Sequence, residues 1–132
     1  MDESKDIYNF WKGVKNNMRE IEKTKLITKI VEHLGMNEIL CQLAEEASEL
    51  AQAALKLRRA YDGKNPTPKT VEECINALLE ESADVDLCLI MICQLLPQKN
   101  EFVWIIEQDR IEDKKVKRWA ERLDIEKAGE KI

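Results

Sequence analysis

The sequence predicts an all-α protein, a bundle of four to five helices. Three observations carry that expectation. Glycines and prolines are few and spaced like punctuation, at Gly13, Gly35, Gly63 and Gly129 and at Pro66, Pro68 and Pro97. The stretches between them are dominated by Ala, Leu, Glu and Lys, all strong helix formers. No run alternates apolar and polar residues in the way of a half-buried strand. With 132 residues, 44% of them apolar, the chain is long enough for one domain with a real core and short for two. The expectation is a single helical domain over 1–132, with an N-terminal extension over 1–20 and a charged tail from about 124 onward.

The first element is a helix or helix pair from about Ile7 to Leu34, stopped by Gly35. A second helix runs from about Asn37 to Ala60. The segment Asp62-Gly-Lys-Asn-Pro-Thr-Pro-Lys69 reads as a loop, after which Thr70 and Glu73 form a capping box that opens the third helix. That helix ends near Pro97, and Gln98 or Asn100 starts a fourth from about Glu101 to Leu123. The third helix is apolar nearly all round, with Ile75, Leu78, Leu79, Val85, Leu87, Leu89, Ile90 and Ile92 spread over its circumference. Such a helix is central or lies at a subunit interface, so a homodimer or homotetramer is expected.

Composition excludes several classes. No stretch of about 18 uncharged apolar residues exists, and the start MDESKDIYNFWK lacks the basic-then-apolar pattern of a signal peptide. A soluble, cytoplasmic protein without membrane association is the expectation. Cys41, Cys74, Cys88 and Cys93 form no Cys-x-x-Cys pair and have no histidine at metal-ligand spacing; they read as small core residues in a reducing compartment. A net charge of −5, from 26 acids against 21 bases, argues against nucleic acid polymers as partners.

Two carboxylate clusters stand out, Glu45-Glu46-Ala-Ser-Glu49 and Glu80-Glu81-Ser-Ala-Asp84. Acids three apart share a helix face, where both can reach one hard cation. At about 100° per residue, Ile39, Leu43, Ala47, Leu50, Ala51 and Ala54 fill one arc of the second helix. Glu46 lies at the edge of that arc and Glu49 further round on the same side, while Glu45 points nearly opposite into solvent. On the third helix Glu81 and Asp84 share one side of an otherwise buried rod. Charge there costs several kcal/mol unless a counter-charge is present. Four carboxylates on adjacent helices therefore call for a divalent cation, and oxygen-only ligands select Mg²⁺, with Mn²⁺ as substitute, over zinc. A bland reading sets acid pairs on solvated faces, but a pair on an apolar helix speaks against it. A carboxylate-bridged di-iron site needs Glu-x-x-His, and His33 is the only histidine.

At these residues, Glu46-Ala-Ser-Glu49 and Glu81-Ser-Ala-Asp84, the sequence resembles the MazG-like all-alpha nucleoside triphosphate pyrophosphohydrolases. The likeness covers about residues 30 to 123 and extends to a closing basic element, Lys115-Val-Lys-Arg118-Trp-Ala-Glu-Arg122. Two departures are visible: the acid pairs are further apart than usual, with a loop over 61–69 between them, and Asp86 stands where relatives carry an apolar residue. That Asp86 either pairs with a base across an interface or is a tolerated oddity.

The resemblance implies Mg²⁺-dependent cleavage of a nucleoside triphosphate, ribo or deoxy, to monophosphate and pyrophosphate, in a role such as nucleotide-pool cleaning. Glu46, Glu49, Glu81 and Asp84 would be the metal ligands. Glu46 or Glu49 would accept the proton of a water acidified by the cation. Lys56, Arg59, Lys115 and Arg118 would bind phosphates, although each basic stripe is by default a solvated face. Trp11, Trp104 and Trp119 read first as core residues and second as platforms for a base. The competing expectation is a non-catalytic helical interaction module whose acids only solubilise it. That alternative accounts for the composition but not for Glu81 and Asp84 on an apolar helix.

Overall fold

The computed structural model describes the backbone over residues 3–63 and 68–125 and, within those spans, side chains chiefly from Arg19 onward. The side chain of Trp11, residues 64–67 of the loop and the tail beyond 125 lie outside the described residues. Among the described residues all regular structure is helical: α1 (Glu3–Asp62), α2 (Val71–Leu95) and α3 (Glu101–Arg122). The expected all-α class is therefore what the chain adopts. α1 starts earlier than Ile7 and is two helical arms joined at Gly35, whose φ of 79° and ψ of 171° lie outside the helical region. A Cβ at Gly35 would meet nothing within 4 Å. Glycine is favoured at this break by its tolerance of positive φ and not by lack of space.

The chain divides into two compact units, Met1–Leu95 and Leu96–Ile132. In the first unit α1 packs on α2. Glu46 and Glu81 meet near the middle of the two helices. Ala53 and Cys74 line a common cleft nearer the turn, so the pair is an antiparallel hairpin. Thr70 opens α2 as the capping box predicts, its Oγ1 accepting a hydrogen bond from Glu73 N at 3.2 Å. Ile27, Val31, Ile39 and Ala53 of α1 are buried with Cys74, Cys88, Ile92 and Cys93 of α2. Thr28 Oγ1 lies 3.4 Å from Gln94 Oε1, which brings the N-terminal arm alongside the C-terminal end of α2.

The seam corrects the helical wheel. The stripe of α1 that meets α2 is Ile39, Leu43, Glu46, Leu50, Ala53 and Leu57, all buried or half-buried, while Ala47, Ala51 and Ala54 are exposed. The contact arc is thus turned by roughly 50° from the expected one, at 100° per residue. Bulk explains the difference: a Leu or Ile removes more apolar surface from water than an Ala, so the branched stripe takes the seam. On α2 the matching stripe is Cys74, Leu78, Glu81, Val85, Cys88 and Ile92. Its other side is not wrapped within this unit, since Leu79 is 62% exposed and Ile75 38%. Cys41 is exposed, unlike the core position expected for it.

The second unit holds α3. Asn100, not Gln98, is its cap, with Oδ1 accepting from Val103 N at 2.9 Å. Lys99 and Glu107 form an ion pair along its first turns. No described residue of α3 is buried. Trp119 is 66% exposed, contrary to a core role. Among the described residues no helix is long and apolar enough to cross a membrane.

Candidate metal centre

Glu46, Glu81 and Asp84 each offer a carboxylate oxygen, and these oxygens lie within 4.8 Å of one another. The helical repeat explains the convergence. Glu46 takes a mid-seam position on α1, Glu81 takes the position facing it on α2, and Asp84 follows Glu81 by one turn. Glu46 therefore stands in the middle of the contact stripe, not at its edge. Its Oε1 accepts a hydrogen bond from Gln42 Nε2. Its Oε2, like Glu81 Oε2, is shielded from solvent and has no hydrogen-bond partner among the described residues. Shielding a carboxylate oxygen without a donor costs more than shielding a neutral group, so a donor or a cation at these two atoms would be stabilising.

The electrostatics agree with the geometry. The Glu81 carboxyl is pushed above its ordinary value first by burial, then by the charge of Glu49 and a side-chain hydrogen bond with Glu49, then by Asp84 and Glu46. Glu49, though exposed, thus lies within side-chain hydrogen-bonding reach of Glu81. All four expected carboxylates gather around the middle of the seam, and Glu45 points into solvent as expected. The buried Cys88 thiol is also pushed up, first by burial and then by the charges of Glu46 and Asp84. A thiol so placed resists ionisation, which keeps sulfur out of the donor set. Carboxylate oxygens in such number, two of them orphaned, fit a hard divalent cation of the Mg²⁺ or Mn²⁺ type.

Beside the acids lies a cleft of about 360 Å³ whose wall includes Glu49, Lys56, Lys69, Glu80 and Glu81, with Ala53, Cys74 and Ala77 as its apolar part. Lys56, seven residues after Glu49 and so on the same face of α1, lines the cleft beside it. Lys69 is a residue the sequence reading missed. Its signal was position: it is the last residue of the loop before Thr70, at the end of α2 that faces the C-terminal arm of α1. Arg59 is half-buried and not part of the cleft wall. Lys115 and Arg118 are exposed on α3, in the second unit. Asp86 is exposed on the side of α2 away from the cleft.

Fold and site together define an all-helical protein with a carboxylate cluster set between two antiparallel helices. No protein-family model, no curated protein and no solved structure matches the chain, so the family resemblance stands on its two acidic motifs and the residues around them.

Proposed function

We propose that this chain is a Mg²⁺-dependent nucleoside triphosphate pyrophosphohydrolase that cleaves between the α and β phosphates. The observation that supports it most is the meeting of Glu46, Glu81 and Asp84 within 4.8 Å, with shielded oxygens that lack partners among the described residues. Glu46, Glu81 and Asp84 would hold the cation, with Glu49 beside them. When bound, the cation would offset the charge of substrate and carboxylates and acidify a water.

The chain's own groups have distinct tasks in this reading. Gln42 holds one oxygen of Glu46 and so fixes the direction of the other. Glu49 and Asp84 are the exposed members of the group, and of these two Glu49 lines the cleft, which suits it to accept a proton from the attacking water. Lys56 and Lys69, on the same wall, would neutralise phosphate oxygens and the charge that builds on departing pyrophosphate. Ala53, Cys74 and Ala77 exclude water from one side of the cleft. The proposal requires neither Arg59, which is off the cleft wall, nor Lys115 and Arg118.

The test is direct. The protein is incubated with Mg²⁺ and a panel of standard and modified nucleoside triphosphates, and pyrophosphate and orthophosphate are assayed separately. Pyrophosphate with monophosphate is the expected pair. Orthophosphate alone would place the cleavage at a different bond. No product from any triphosphate would leave the helical interaction module, which is favoured by the exposed Leu40, Leu55 and Leu79.

A further inference from the structure

We propose that the cleft recognises the triphosphate chain of its ligand and not the nucleoside, with the carboxylate cluster at one end of that chain, Gln52 at its middle and Lys56 and Lys69 at its far end. Given the cation of the hydrolytic reading, on which this assignment rests, inorganic triphosphate is a ligand of the site in its own right.

The wall of the cleft changes character along the hairpin. Glu46 meets Glu81 in the register of the seam, and Ala53 and Cys74 lie nearer the turn. From the acids toward the turn the wall therefore presents Glu49, Glu80 and Glu81, then Gln52 between Ala53 and Ala77, then Lys56 and Lys69. Lys56 follows Glu46 by ten residues and Glu49 by seven, about 15 Å and about 10 Å along the axis at 1.5 Å per residue. The Cα–Cβ bond of a helical residue tilts toward the helix N-terminus, so Lys56 leans toward the acids. Lys69 stands just before the start of α2, at that same end of the cleft.

The bases and acids of the cleft do not neutralise one another. Neither Lys56 nor Lys69 belongs to an ion pair among the described residues, although Glu49, Glu80 and Glu81 share the wall with them. Ammonium groups held apart from an acidic cluster suit a ligand that meets a cation at one end and is anionic along its whole length. A single phosphate is too short to meet both ends, whereas a chain of three carries negative oxygens from one to the other. Gln52, exposed on the wall between them, has an amide N–H to give to the middle of that chain. A nucleobase finds no such match. Among the described residues the wall holds no aromatic side chain, and its apolar part is Ala53, Cys74 and Ala77, which offer a base no plane to stack on. The end of the chain thus points to the lysines, and the nucleoside leaves the cleft past the acids.

Titration calorimetry on the full chain in Mg²⁺ tests it. The probes are inorganic triphosphate, pyrophosphate and α,β-methylene nucleoside triphosphates of different bases, which resist cleavage at that bond. Inorganic triphosphate is expected to bind within about threefold of every nucleoside analogue, and pyrophosphate roughly tenfold or more weaker. Lys56→Met and Lys69→Met should each weaken triphosphate binding by roughly tenfold or more and pyrophosphate binding by less than about threefold, with helical circular dichroism retained. Chelator should abolish binding of all the probes. The proposal is overturned if inorganic triphosphate does not bind, if affinity changes by roughly tenfold or more with the base, if the lysine variants bind triphosphate like the wild type, or if binding is undiminished in chelator. Release of pyrophosphate from nucleoside triphosphates alongside any of these results leaves the hydrolytic reading standing without this one. Triphosphate binding without turnover of any nucleoside triphosphate supports this assignment and overturns hydrolysis.

Discussion

The seam between α1 and α2 is built in two ways along one pair of helices. At its ends it is apolar: Ala53 and Cys74 are buried toward the turn, Ile39 and Cys88 toward the other end. In its middle, at positions where the same repeat would place two more apolar residues, stand Glu46 and Glu81. The ends obey the rule by which helical hairpins bury surface. The middle breaks it, and its half-buried acids carry oxygens without partners among the described residues. The ends hold the hairpin together, and the middle uses the dry, rigid frame to press like charges together. Such an arrangement lowers stability unless a cation joins it, which is how sites that depart from local rules are recognised.

The largest effect expected from this contrast is on turnover. Glu81→Ala and Asp84→Ala should each lower pyrophosphate release by a factor of roughly 100 or more, as loss of a charge-stabilising group does elsewhere. Glu45→Ala, on the solvent side, should leave it near wild type. Equal damage from Glu45→Ala and Glu46→Ala would show that the middle of the seam is not the site.

Next in size is the contribution of the apolar ends. Ile39 is 1% exposed, and Ile39→Ala should destabilise the protein by roughly 2–5 kcal/mol in urea unfolding. A loss within about 0.5 kcal/mol, the range of ordinary surface substitutions, would show that this end carries little of the fold.

The middle should behave in the opposite sense. Glu81→Gln removes one of the crowded charges and keeps the shape, so in chelator it should raise the melting temperature by a few degrees. The wild type should gain stability from Mg²⁺ through binding to the folded state, and the variant should gain less. Identical melting of both proteins with Mg²⁺ and with chelator would remove the case for a cation.

The smallest effect is on pH dependence. The Glu81 carboxyl is held above its ordinary value by burial and by Glu49, Asp84 and Glu46, so between the ordinary carboxylate range and its raised value the folded state binds more protons than the unfolded one. Metal-free protein should therefore be more stable below that window and lose stability as pH rises through it. Saturating Mg²⁺ should weaken the slope. A metal-free stability that rises with pH across this window contradicts the crowding of the four acids.

Much of this was readable in the residues. The break at Gly35, the cap at Thr70 and the start of α3 after Asn100 are local events, decided by backbone preferences and side chains a few positions away. The two acid pairs were visible for the same reason, since spacing on one helix needs no partner. Lys69 was not legible as a cleft residue, because its closeness to Glu49 and Lys56 depends on how the chain returns after the loop. Nor was the exposure of Trp119, which depends on what packs beside α3.

The sequence by itself determined the helices, their ends and the carboxylates they carry, because propensity, capping and helical spacing act within a few residues. Only the tertiary structure decided which face of each helix became the seam. The C-terminal arm of α1 has two neighbouring apolar stripes, one of Ile39, Leu43 and Leu50 and one of Leu40, Ala47, Ala51 and Ala54, and the wheel blends them into one arc. Packing chooses between them by the bulk each buries against α2. That choice moved Glu46 from the edge of the contact to its centre, opposite Glu81, and left the alanine stripe outside.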